Sequence, residues 1–253
     1  MLSVATSKHL TPIKPIPAYE LVARQIQRAV HMGLLVPGDR LPAERDLAEQ
    51  LGVARMTVRE AIRVLAHQGQ ITVKRGVQGG MWIRTQEVTA GELVRLAADV
   101  DRAVDDVYKF REIVERASAR LAAERAKAKD VQKLSKLCRS MQEILAAHAK
   151  HPISSHVPRF LALDSQFHTE IGSLSGNQFI ADSVEQALAA RYAPFGAVFR
   201  ALTRDANDGH DELVEAIAAH DGARAEGIMS KHIREAHDSL RSILNRQIKA
   251  NSR

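Results

Sequence analysis

Asp164 and His168 stand four residues apart, so on a helix both side chains leave the same face. His210 and His232 follow, 22 residues apart, a separation that fits two adjacent antiparallel helices. One carboxylate and three imidazoles drawn from three helices can close around a single divalent cation inside a bundle. The spacing does not force that chemistry. The chain holds 11 histidines, and ordinary core or surface histidines satisfy an Asp-x-x-x-His pair equally well. His148, His151, His156, His220 and His237 read as exposed residues of that ordinary kind. A second set lies nearer the N-terminus, where Arg55, Arg59 and Arg63 recur every four residues. An arginine row on one helix face suits phosphate oxygens and guanine edges in a major groove. Lys74 and Arg75 open a stretch with Gly76, Gly79 and Gly80, where the backbone can approach a polyanion closely. A solvated arginine face on a surface helix is the plain alternative.

Elements must hold these groups in place. Residues 1–17, with Pro12, Pro15 and Pro17, read as an extended arm. Tyr19, Val22, Ile26, Ala29 and Val30 recur at helical spacing, which predicts a helix to about Met32, stopped by Gly33 and Pro37-Gly38. Pro42 opens a short helix, Ala43 to Leu51, and Gly52 supplies a tight turn. A third helix is expected over Arg55 to Gln68, with Val58, Ala61, Ile62 and Leu65 as its core stripe. Two short β-type runs, Ile71–Val73 and Met81–Ile83, flank the glycine-rich hairpin loop. After about Thr85 strand signals vanish. Helices are expected near 87–98, 103–128, 130–149, 159–174, 178–202, 208–220 and 222–248. The fold class is therefore mainly α: a winged helix-turn-helix over 18–84 with a two-stranded wing, a linker and first connecting helix over 85–102, and an all-helical bundle over 103–250.

Composition separates the two halves further. Of a net charge of +6, all lies in residues 1–85, which hold 12 basic and 6 acidic residues; the remainder is balanced. A basic unit joined to a neutral one points to a polyanion for the first and another task for the second. No apolar run approaches the roughly 18 residues of a spanning helix, no signal peptide is legible at the start, and Cys138 is the single cysteine. A cytoplasmic location without membrane attachment is the expectation.

The run Pro37-Gly38-Asp39-Arg40-Leu41-Pro42-Ala43-Glu44-Arg45-Asp46-Leu47-Ala48, continued by Leu51-Gly52-Val53-Ala54-Arg55-Met56-Thr57-Val58-Arg59-Glu60-Ala61, resembles the GntR family of bacterial regulators. The likeness spans roughly 18–84. It implies DNA contacts for Arg45, Arg55, Arg59 and the wing Gly76. Thr57 fits a phosphate or base-edge contact, and Lys74 a phosphate. Arg63 is outside the family's reading set. Ala43 and Ala54 stand where Ser or Thr is frequent, so each helix start lacks a side-chain cap, worth about 1 kcal/mol. The second half resembles the FCD ligand-binding domain of the FadR subfamily. Phe110-Arg111-Glu112-Ile113-Val114-Glu115, Leu121 to Ala126, Asp164 to His168, Gly176-Asn177 and Ala218 to His232 carry this likeness. Many members hold a metal on one Asp and three His, and the resemblance implies that role for Asp164, His168, His210 and His232. It also implies that Arg111, and more weakly Arg191, bind an anionic effector, with a structural salt bridge as the alternative for each.

Together these point to a regulator: a homodimer on double-stranded operator DNA, repressing until a small organic acid binds beside a divalent metal. Zinc leads, and nickel and manganese are compatible with the ligands. A metal-dependent hydrolase or lyase with a DNA-binding-like accessory domain is the rival. It lacks a His-Glu-x-x-His and an evident general base, since Glu170 leaves its helix by a different face from His168.

Overall fold

The computed structural model describes residues 15–31, 34–35, 37–74, 76, 79–84, 90–153, 156–192 and 207–251, with the side chains of 31, 90–101, 191–192, 244 and 247–251 outside that description. Residues 1–14 of the expected arm and 193–202 of the expected long helix also fall outside it.

The first unit is built from α1 (Ala18–His31), α2 (Glu44–Leu51), α3 (Arg55–His67) and a hairpin of β1 (Ile71–Lys74) and β2 (Gly80–Ile83). Gly52 ends α2 in the left-handed region at φ 64°, and its N–H returns to the Ala48 and Glu49 carbonyls. That turn redirects the chain into α3. No side chain caps α2 at Ala43 or α3 at Ala54, as the sequence indicates. The stripe Val58, Ala61, Ile62 and Leu65 is buried against Val22, Ile26 and Leu47, with Ile71, Met81 and Ile83 closing the core from the hairpin. The strands pair antiparallel, Ile71 with Ile83 and Lys74 with Gly80. Ile71 is buried while Val73, two residues on along the same face, is 52% exposed, so the core covers the base of the hairpin and leaves the tip of the wing in water.

The second unit holds α4 (Ala90–Arg125), α5 (Ala128–Lys150), α6 (His156–Leu174), α7 (Gln178–Tyr192), α8 (His210–Ala218) and α9 (Gly222–Asn251). The sequence predicts a break near residues 99–102, but α4 runs straight through it. Asp99-Val100-Asp101-Arg102 contains neither Gly nor Pro, so nothing interrupts the helical ladder. α6 begins three residues ahead of expectation because Pro158 sits in its first turn, where a missing N–H costs nothing. α4 is the spine, packed on α6, α7, α8 and α9, while α5 covers α6 and α8. Ala119, Ala122, Leu134, Met141, Phe167, Ile171, Leu213, Ile217, Met229 and Ile233 join one apolar core. Gly172 of α6 lies so close to α7 that a Cβ there would stand 3.2 Å from Val184 Cβ. The two units touch where α1 meets α7, with Arg28 ion-paired to Glu185.

Candidate metal centre and nucleic-acid face

Asp164, His168, His210 and His232 each offer one ligand atom, and these atoms lie within 4.8 Å of one another. Helical period explains the first two, one turn apart on α6; His210 opens α8, and His232 lies mid-way along α9. His168 Nε2 and His210 Nε2 stand 3.6 and 3.5 Å from Asp164 Oδ1. The ring centroids of His168 and His210 are 5.6 and 4.4–5.3 Å from one another and from His232. Asp164, His168 and His210 are buried and His232 is half-buried at the lip.

Each imidazole is anchored through its other nitrogen. His210 Nδ1 lies 2.9 Å from Asn207 Oδ1. His232 Nδ1 lies 3.1 Å from the Asp208 carbonyl oxygen. His168 Nδ1 faces the Glu115 carboxylate. With Nδ1–H donating outward, all three rings turn Nε2 towards a shared point. The Nε2 atoms of His168 and His210 are buried and make no hydrogen bond, a costly arrangement for polar atoms unless an ion satisfies them. The donor set fits a divalent cation.

Electrostatics agree with that fit at two of the three imidazoles. Burial pushes His210 well below the usual imidazole range and His232 to about 4, and the neighbouring histidines add to it. Both are therefore neutral, as metal ligands must be. Burial would raise the Glu115 carboxyl, but Arg111 and His168 beside it override this and hold it at about 2. The same pairing works the other way on His168, which rises despite its burial because Glu115 and Asp164 face it.

Glu115 was part of a motif in the sequence but carried no assigned task. It sits on α4 four residues after Arg111, whose Nε donates to Glu115 Oε1 at 2.6 Å. Arg111 is 1% exposed, and its Nη1 finds no hydrogen-bond partner. Asn207 and the Asp208 carbonyl were likewise invisible in the sequence, because a backbone or amide acceptor has no signature of its own. Arg191 lies on α7, but its side chain is outside the described residues. Glu170 pairs with Lys133 of α5, away from the ligands. Of the histidines expected to be exposed, His237 stacks on Tyr108 and bonds Asp105, and His148 and His156 are half-buried in edge contact; only their surroundings in space decide this.

Beside His232 opens a cavity of about 500 Å³, lined in part by Asp208, Asp211, Glu212, Glu235 and Lys231. Four carboxylates against one ammonium attract a cation rather than an anion at that mouth.

On the first unit, Arg45, Arg55 and Arg59 are exposed and Thr57 is half-buried. Arg55, Thr57 and Arg59 share the first turns of α3, while Arg45 lies on α2, paired to Asp46 at 3.1 Å. Arg59 donates to Glu44 of α2 through Nε at 3.1 Å and Nη2 at 2.9 Å, so a residue not singled out from sequence fixes its guanidinium. Arg63 is held by Glu60 at 2.7 Å. On the wing, Arg40 and Lys74 lie 5.7 and 6.0 Å from the Trp82 ring centre, and Gly76 takes φ 104°. Arg75, Val77 and Gln78 lie outside the described residues.

Comparison with known proteins gives two family matches. Residues 18–78 match the model of bacterial regulatory proteins of the gntR family, and residues 106–235 match the FCD domain. The chain is 25% identical over 238 residues to the HTH-type transcriptional repressor NanR of Enterobacter sp. (strain 638), covering 91% of this chain and 88% of the relative. It is 31% identical over 164 residues to the Glc operon transcriptional activator of Escherichia coli K12, covering 65% and 63%. The solved structure of E. coli McbR/YncC is similar at TM-score 0.55 and 21% identity, covering 90% and 99%, which bears on the fold.

Proposed function

This chain belongs to the GntR family of bacterial regulatory proteins, in its FCD-bearing FadR-like branch, and from that premise we propose that it is a metal-dependent, ligand-responsive repressor. As a member it is a DNA-binding transcription regulator and not an enzyme. The finer reading has a homodimer set two winged units on a pseudo-palindromic operator. Arg55, Thr57 and Arg59 face the major groove, Arg45 and Lys74 meet phosphate, and Gly76 brings the wing backbone close. Phe110 and Ile113 of α4 are exposed, the latter at 65%, and these apolar side chains support a second copy as partner. The relatives include a repressor and an activator; repression is the reading offered for this chain. No helix among the described residues is long and apolar enough to cross a membrane, and a cytoplasmic site of action is part of the proposal.

One observation carries the metal and effector reading: three imidazoles, each anchored at Nδ1, turn Nε2 with Asp164 towards one point. Such a set favours zinc, with nickel or manganese also compatible. When bound, the ion supplies a Lewis-acidic seat for a carboxylate. The chain's own residues then choose the ligand. Glu115 holds the Nε side of Arg111, and the unpartnered, buried Nη1 is the donor left for an organic acid. Arg191 is the second candidate cation. Gel shifts of the zinc-loaded chain against the DNA upstream of its own gene, repeated with a panel of small organic acids, test the whole reading. Release by one acid in the wild type, lost in His210→Ala with DNA binding kept, is the expected pattern. A His210→Ala protein that responds as the wild type does rejects the metal-dependent switch.

A further inference from the structure

Met56 is the most exposed large apolar side chain among the described residues of the winged unit, at 67%. It is the second residue of α3, between Arg55 and Thr57. It has one close side-chain neighbour on its own helix. Met56 Sδ lies 4.0 Å from Arg59 Nη1, one helical turn on, and Arg59 is itself clasped by Glu44 from α2. An apolar tip thus stands amid a cationic row, on the helix turn that leads into DNA under the reading above. No described residue of the unit's core reaches over it, so its thioether stays in water until a partner covers it.

In a major groove, three of the four base-edge chemistries are hydrogen-bonding alone; thymine adds a 5-methyl group. Burying an exposed methionine against a methyl is favourable, whereas burying it against an amino or carbonyl edge strands a polar group. The unbranched side chain can also adjust to reach a methyl without the fixed geometry that an arginine fork demands. We propose that Met56 is a specificity-determining residue that reads a thymine methyl, fixing one A·T pair in each operator half-site. The proposal rests on the docking of α3 in the major groove.

The test uses the full-length, metal-loaded wild type and Met56→Ala, each enriching duplexes from a random-sequence DNA library. Wild type is expected to demand thymine at one position per half-site, and Met56→Ala to relax that position alone. Replacing that thymine by uracil, which removes only the methyl, should then weaken wild-type binding about fourfold, the worth of one buried methyl-sized group. Met56→Ala binding should not change on the same replacement. Identical enriched sequences from the two proteins, or an equal uracil penalty for both, overturns the assignment while leaving α3 docking intact. A wild-type library that enriches no sequence overturns the docking reading and this assignment with it.

Discussion

At the scale of residues, Glu115 touches both of the proposed functional groups. It accepts from Arg111 and faces His168 Nδ1, so it bears on the tautomer of a candidate metal ligand and on a candidate effector donor. Glu115→Gln keeps the shape but removes the charge. Zinc affinity, measured by competition with a chromophoric chelator, is expected to drop about 10–100-fold, as for other outer partners of metal-bound histidines. Unchanged affinity would mean that Glu115 serves packing alone. The same cluster sets an acid response for the metal-free protein. His210 and His232 have folded values below their ordinary 6.5, so the unfolded chain takes up those two protons first as pH falls. Their contribution is present above 6.5 and is lost as pH falls below it, for His232 down to about 4. His168 is raised and opposes this with one proton, leaving a net loss. Below the ordinary carboxyl value of 4.5, Glu115 adds to the loss down to about 2. Urea unfolding after chelation should therefore give a lower midpoint at pH 5 than at pH 7; an equal or higher midpoint contradicts the assignment of neutral His210 and His232.

At the scale of elements, the proposed DNA reading turns on the junction of α2 and α3. Glu44 binds Arg59 in two places across the Gly52 turn, so the guanidinium is placed before DNA arrives. Arg59→Ala should cost roughly 1–3 kcal/mol of specific binding per half-site contact. Glu44→Gln should cost less, because the arginine remains but is no longer held. Fluorescence anisotropy on an enriched duplex measures both. A Glu44→Gln loss exceeding that of Arg59→Ala would place the direct contact on Glu44 instead.

At the scale of the whole molecule, the candidate ligand atoms come from α6, α8 and α9, which are joined through the core to the α4 spine. Metal that binds only the folded state must stabilise it by mass action. At a free concentration 100 times Kd this amounts to about 2.7 kcal/mol, or about 5–10 °C in the melting temperature of a unit this size. Scanning calorimetry with zinc and with chelator is expected to shift the helical unit's transition by that amount. A transition indifferent to zinc, nickel and manganese alike would leave the four residues a polar cluster without an ion.

Much of this was legible in one dimension. The period of Val58, Ala61, Ile62 and Leu65, the Gly52 turn and the paired strands determine a winged helix-turn-helix, because short-range sterics and burial act within a few residues. Asp164 and His168 announce a shared face for the same reason. The charge excess confined to residues 1–85 marks the unit suited to a polyanion. Only the tertiary structure decided that His210 and His232, 42 and 64 residues beyond His168, converge on it rather than point to water. It alone turned Glu115 from motif letter to anchor, brought Glu44 to Arg59, placed His237 against Tyr108, and made one continuous helix of α4. These outcomes depend on which faces of distant helices are buried together. Side-chain period states that a face is apolar; it carries no information about the helix that will cover it.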